Sequence, residues 1–187
     1  DGSTDETYSL LTRYESRIKY IYQTNQGEAA ARNTAIEASA GEYIALLDSD
    51  DLWLPDKLTC QLDFMLTHPE VGMVASHAIA IDHAGRSLND GPLFPFQSEG
   101  WVSLETNVLR SPLPVDTLIV RRSCLPAPEP FTSGVRFGAD WEMCLRLGAR
   151  HSIWFMAQIF AAVRVHEHNV MTPLASQQQV DLKLRDR

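Results

Sequence analysis

Several things are scarce in this sequence, and each scarcity narrows the possibilities. Three cysteines, Cys60, Cys124 and Cys144, stand far apart among 187 residues. An odd, scattered set does not make a disulfide framework and suits small apolar core residues in a reducing compartment. Clusters of lysine and arginine are missing, the formal net charge is −8 and the pI is near 5.2. No nucleic-acid partner is therefore expected, because phosphate-backbone binding relies on grouped cations. An anionic substrate would need local help, such as a metal. No apolar run reaches the ~20 residues that a membrane span requires. The longest, over 153–165, is interrupted by Gln158 and Arg164. Repeats and low-complexity tracts are also lacking, and no secretory leader is expected. The chain opens on DGSTDE without an initiator Met, so a lost upstream segment is expected. The expected location is the cytoplasm, or the inner face of a membrane.

What is present is ordinary globular material, 44% hydrophobic and 21% charged. At this length folding buries roughly 70% of the surface of the unfolded chain, enough for a core without staples. A single domain over 1–170 with a polar tail over 171–187 is expected.

Local patterns predict an α/β fold. Residues 8–14 read as a helix, and RIKYIYQ at 17–23 alternates as a short strand does. The Ala-rich stretch after Gly27 predicts a helix whose small face, Ala30, Ala31, Ala35 and Ala38, lies on a sheet, with Gly41 as its C-terminal cap. Residues 42–47 predict a strand. Pro55 falls in a first helical turn, followed by Leu58, Leu62, Met65 and Leu66 at helical spacing up to His68-Pro69. Residues 71–81 are apolar on both faces, as in a central strand. This alternation predicts a mostly parallel sheet flanked by helices. Glycines and prolines interrupt every period over 82–114, a length usually reserved for a functional or mobile segment. A strand over 115–120, a helix over 139–149 and one or two strands over 153–165 complete the pattern.

The most informative stretch is ALLDSDDLWLP at 45–55, where an apolar run ends on Asp48, Asp50 and Asp51. In open α/β sheets ligands bind beyond the carboxyl ends of the strands. Clustered carboxylates repel one another unless a cation or donors compensate. Hard oxygen ligands suit Mg²⁺ or Mn²⁺, which bridge carboxylates and substrate phosphates. The same residues also suit a solvated turn, with Asp51 capping the next helix.

Taken together, DGSTD at 1–5, NQGEAAARNTAIEASAGEYIALLDSDDLWLPDKL at 25–58, ADWEMCLRL at 139–147 and RVH at 164–166 resemble family 2 glycosyltransferases, the inverting nucleotide-sugar transferases of the GT-A, Rossmann-like fold. The likeness lacks the first strand and helix of the family. It implies a nucleoside diphosphate sugar donor, expected to be a UDP-sugar, a hydroxyl acceptor on a glycan, lipid or protein, and Mg²⁺ or Mn²⁺. Asp48 would face the ribose or sugar, and Asp50 would hold the metal on the diphosphate. Asp51 either assists or caps. Asp1 would contact the base and ribose. Arg32 and Asn33 would face the nucleotide, Arg32 as a fork for phosphate oxygens or as an exposed helix residue. Gly27 would permit close approach to the ligand or simply turn the chain. Asp140, near its ordinary carboxylate pKa, would take the proton of the acceptor hydroxyl or cap its helix. Trp141, Glu142 and Trp101 fall on the acceptor side, and His166 is a second metal ligand or a structural histidine. Two other readings remain open: a truncated or degenerate nucleotide-binding module, and a sugar-phosphate nucleotidyltransferase.

Overall fold

The computed structural model describes residues 1–88, 90–93, 98–109, 113–135 and 138–166. The tail over 171–187, and His168, lie outside them. In chain order the elements are Thr7–Leu11 (α1), Glu28–Ala38 (α2), Tyr43–Ala45 (β1), Leu52–Trp53 (β2), Lys57–Thr67 (α3), Val71–Ile81 (β3), Gly100–Trp101 (β4), Leu104–Leu109 (α4), Ile119–Arg121 (β5), Ala139–Gly148 (α5) and Ser152–Arg164 (β6). Short 3₁₀ turns occupy Thr12–Tyr14, Val115–Thr117 and Arg122–Cys124.

β3, apolar along its length and buried almost throughout, forms the middle of a six-stranded sheet of order β1-β5-β3-β6-β2. β4 shares the outer edge of β6 with β2. The expected mostly parallel pairing is corrected here: only β3 and β6 pair in parallel, and every other ladder is antiparallel. β5 inserts between β1 and β3 in the opposite sense, so β1, β3 and β6 still point the same way. Their carboxyl ends meet at one rim, and the turn Val115–Thr117 enters β5 from that rim too. The register of β3 against β6 jumps from Ser76↔Met156 to His77↔Ile159, which leaves Ala157 and Gln158 exposed on β6.

The sheet is covered on both faces. On one side Ile44, Met73, Ala75, Val120, Ile153 and Phe155 pack against Ala29 and Ile36 of α2 and Met143, Cys144 and Leu147 of α5. On the other, Val71, Val74 and Ile119 pack against Met65 of α3. Cys144 is the core thiol that the sequence predicts, whereas Cys60 is exposed and Cys124 only partly covered. His77 is buried edge-on against Phe155.

Several expectations are displaced. Residues 17–23 form no strand; their backbone has no ladder partner among the described residues. The span 115–120 divides into a 3₁₀ turn and a three-residue strand. Pro55 lies ahead of α3, and Gly41 lies beyond the extended residue Ser39 that ends α2. Both helices also turn a different face inward. α2 buries Ala29, Arg32 and Ile36 while Ala35 is exposed, because the larger Ile36 gains more from leaving water than any alanine. α3 buries Lys57, Gln61 and Met65, leaving Leu58 and Leu66 outside. The polar pair goes inward to supply donors: Lys57 Nζ reaches Leu118 O at 3.3 Å and Gln61 Nε2 reaches Thr117 O at 2.9 Å. Buried carbonyls without donors cost free energy, which outweighs burying two leucines.

Urea unfolding separates the two faces of α3. Met65→Ala is expected to cost about 2–5 kcal/mol, and Leu66→Ala no more than about 0.5 kcal/mol. Equal losses would refute the assignment.

Candidate active site

The rim where β1, β3 and β6 end gathers side chains from five parts of the chain. Asp48, Asp50 and Asp51 follow β1, Asp116 precedes β5, Arg164 and His166 close β6, and Arg32 and Asp140 arrive from α2 and α5.

Arg32 is 9% exposed. Its Nη2 donates to Asp48 Oδ1 at 2.6 Å, its Nη1 meets Glu28, and its guanidinium stands 5.4 Å from the centre of the Phe131 ring. A cation held in this way remains charged, and its carboxylate partners raise its already high pKa against the opposing effect of burial. Asp140, in the first turn of α5, lies within electrostatic reach of both Arg32 and Asp48. Burial lifts its pKa above the ordinary carboxylate value, offset by the Trp141 N–H at 2.8 Å and by Arg32. The expected unperturbed value is thus corrected upward, in the direction that makes Asp140 a stronger proton acceptor.

Asp50 Oδ2 and His166 Nε2 are 3.0 Å apart, although 116 residues separate them. Both side chains are more than a third open to solvent, or nearly so, at 42% and 35%. Arg164 fixes the approach: its N–H donates to Asp51 Oδ1 at 2.7 Å, its Nε to Asp50 O at 2.8 Å and its Nη1 to Asp82 O at 2.7 Å. The ends of β1, β3 and β6 are thereby stitched to one another.

Asp51 is buried and caps no helix; α3 is preceded by Asp56. Burial raises the pKa of Asp51 to about 8, and the hydrogen bond to Asp116 adds to this while lowering Asp116. Burial raises Asp116 as well, so the two carboxyl groups hold a proton between them. Asp116, 2% exposed, also accepts the Asp48 N–H at 2.6 Å. Lys57, 4.8 Å from the Trp53 ring centre, has its amine lowered to about 8 by burial, with Asp116 opposing the shift.

One set of three carboxylates on this rim is close enough together to suit a divalent ion. Ligand atoms of Asp48, Asp51 and Asp116 lie within 4.8 Å of one another. That trio is largely sealed, and its two buried members share a proton. Asp48, Asp50 and His166 are more exposed, and their oxygen and imidazole donors are of the kind that suits Mg²⁺ or Mn²⁺.

The remaining candidates divide by location. The Asp1 carboxylate accepts from Gln26 N and Gly27 N, both at 2.9 Å, and from Gln23 Nε2 at 2.8 Å, closing the turn before α2. Gly27, with φ of 90°, occupies a conformation that other residues adopt only under strain. Asn33 is committed to Phe131: its Nδ2 donates to Phe131 O at 2.7 Å and its Oδ1 accepts from Phe131 N at 2.9 Å. Glu142 forms a two-point pair with Arg146 at 2.6 and 2.9 Å, and Arg146 in turn holds the carbonyls of Glu129 and Pro130. Trp141 is half-buried next to Asp140. Trp101 is not brought to the rim; it pairs with Trp154 near the start of β6, ten positions before Arg164, which is roughly 30 Å along a strand.

Asp116, Lys57, Gln61 and Phe131 escape the sequence reading. The available signals were a lone carboxylate in the apolar run VDTLIV and polar residues at 57 and 61, one helical turn apart.

The proton of the Asp51–Asp116 pair gives a pH dependence without divalent ions. The folded pKa of Asp51 is raised, so its contribution to stability is full below about 3.8 and is lost as pH rises toward about 8, by at most ~1.4 kcal/mol per pH unit. Glu28, Asp116 and Asp140 are shifted in the same direction, and Lys57 acts above that window. The melting temperature in EDTA is expected to fall from pH 5 to pH 8, with a shallower fall in Asp51→Asn. Parallel slopes for the two proteins would refute a proton held by the Asp51–Asp116 pair.

Residues 1–117 match the family model described as glycosyl transferase family 2. An uncharacterized glycosyltransferase of Rickettsia conorii is 31% identical over 173 residues, 88% of this chain but 27% of that protein. S. aureus TarS 1–349 in complex with UDP-GlcNAc shares the fold with a TM-score of 0.65 at 18% identity, covering 92% of this chain and 50% of that one. Mannosyltransferase PcManGT from Pyrobaculum calidifontis, in complex with GDP-Man and Mn²⁺, does so with 0.64 at 18% identity, covering 95% and 50%. At such identities the structural likeness speaks for the GT-A fold, and the sequence match speaks for the family. This chain, about a quarter as long as its Rickettsia relative, belongs to the family 2 glycosyltransferases.

Proposed function

We propose that this chain carries the catalytic rim of an inverting, metal-dependent glycosyltransferase that moves a sugar from a nucleoside diphosphate sugar to a hydroxyl acceptor. The observation that carries the reading is the meeting of Asp50 with His166 at 3.0 Å, beside an Asp48 held by Arg32 and within electrostatic reach of Asp140. TarS with UDP-GlcNAc and PcManGT with GDP-Man and Mn²⁺ support a nucleotide-sugar donor and a divalent ion.

Asp50, His166 and Asp48 are the residues that would hold Mg²⁺ or Mn²⁺. When bound, such an ion neutralises the charge that develops on a departing diphosphate, a contribution of several kcal/mol. Asp48, fixed by Arg32, faces the donor. Asp140 takes the hydroxyl proton while the acceptor oxygen bonds to the anomeric carbon and the bond from that carbon to the diphosphate oxygen breaks. A single displacement of this kind inverts the anomeric centre and requires no enzyme nucleophile. The raised pKa of Asp140 suits it to this task. The acceptor is a hydroxyl on a glycan, lipid or protein. No helix among the described residues is long and apolar enough to cross a membrane.

Calorimetry and a release assay on a panel of nucleotide sugars test the reading. Asp50→Ala and His166→Ala are each expected to weaken Mn²⁺-dependent UDP binding, and unchanged Mn²⁺ affinity in Asp50→Ala would remove the metal assignment. Asp140→Asn should keep nucleotide affinity and lose about 10²–10⁴-fold in transfer. Coupled Mn²⁺ and UDP binding with no transfer from any donor would favour a non-catalytic module instead.

A further inference from the structure

The turn Val115–Thr117 is not part of any helix or long strand, yet it is held at successive positions. Trp53 Nε1 donates to Asp116 O at 3.0 Å, Gln61 Nε2 to Thr117 O at 2.9 Å and Lys57 Nζ to Leu118 O at 3.3 Å. All three donors come from the segment that directly follows the acidic tip of β1. The turn answers through one side chain. The Asp116 carboxylate accepts the Asp48 N–H at 2.6 Å and is bonded to the Asp51 carboxyl. It therefore grips the tip at its first and last carboxylate residues, 48 and 51.

We propose that Asp116 is a positioning residue that sets the backbone of the Asp48–Asp51 tip, and is not itself a ligand of the divalent ion. Its carboxylate is engaged on both of these partners and is 2% exposed. Asp48 and Asp50, by contrast, keep about two-fifths of their side chains open to solvent. A ligand needs a lone pair facing the ion, whereas a positioning group needs a short bond to the backbone it fixes. The Asp48 amide is the point at which direction is decided. Held there, the Asp48 side chain meets Arg32 and the chain turns so that Asp50 meets His166. This inference rests on the assignment of Asp50 and His166 to the cation.

Two conservative variants of the full chain distinguish the roles, because they rank in opposite orders. Asp116→Asn keeps an oxygen for the Asp48 N–H and loses the charge that a ligand would supply. Asp116→Glu keeps the charge and displaces the oxygen by one methylene. Amide exchange at Asp48 and Mn²⁺ affinity with UDP, read by electron paramagnetic resonance, are measured on both and on Asp116→Ala. If Asp116 positions the tip, Asn preserves slow exchange and Mn²⁺ affinity within about threefold, while Glu and Ala lose about tenfold or more in each. The reverse order, with Glu binding Mn²⁺ well and Asn poorly, makes Asp116 a ligand and overturns the inference. Equal exchange at Asp48 in all variants, or equal Mn²⁺ affinity, overturns it as well. If Ala does not fold, the order of Asn and Glu still decides. A wild-type chain that binds neither Mn²⁺ nor UDP would refute the assignment of the cation, while the exchange at Asp48 would still report on Asp116.

Discussion

Too many carboxylates meet at one edge of the sheet, and the rest of the site depends on how their repulsion is offset. Glu28, Asp48, Asp50, Asp51, Asp116 and Asp140 share the rim in a chain of net charge −8. Each is accommodated by a different device. Arg32 stands between Glu28 and Asp48. His166 faces Asp50, and Asp51 and Asp116 hold a proton between them. Asp140 stays at the buried end of α5 with a backbone N–H and Arg32 in reach. Asp48 and Asp50 keep about two-fifths of their side chains open to solvent, so this is the side of the rim that a ligand can reach.

Arg32 illustrates how packing and electrostatics are joined. Its guanidinium is fixed by Asp48 on one side and by the Phe131 ring on another. The position of Phe131 is set by Asn33, one residue along α2, through two backbone hydrogen bonds. Arg146 and Glu142 of α5 hold the preceding carbonyls. The residues expected at the nucleotide and acceptor thus build, in part, the wall against which Arg32 rests. Loss of Asn33 would be felt at Asp48 through two intervening residues, Phe131 and Arg32, a coupling carried by rigid neighbours.

Much of the fold was legible because it follows from local periodicity. The strand over 71–81, the helix after Gly27 and the helix of ADWEMCLRL fall where their patterns place them. The inward faces of α2 and α3 were misread because hydrophobicity favours leucines and alanines, whereas Arg32, Lys57 and Gln61 are buried by specific partners far along the chain. The strand expected over 17–23 had the right alternation but no ladder partner among the described residues, and a pattern alone cannot supply one.

The sequence by itself determined the acidic tip, the elements that flank it and the family, since these reside in contiguous runs of residues. Tertiary structure decided the sense of β5, the partnership of Asp50 with His166 and the place of Asp116. These depend on strand pairing between residues about 70 to 120 positions apart, and pairing leaves no local periodicity to read. Trp101 marks the same limit from the other side. Its chemistry suits a sugar ring, but the ladder between β4 and β6 fixes it at the opposite end of the sheet.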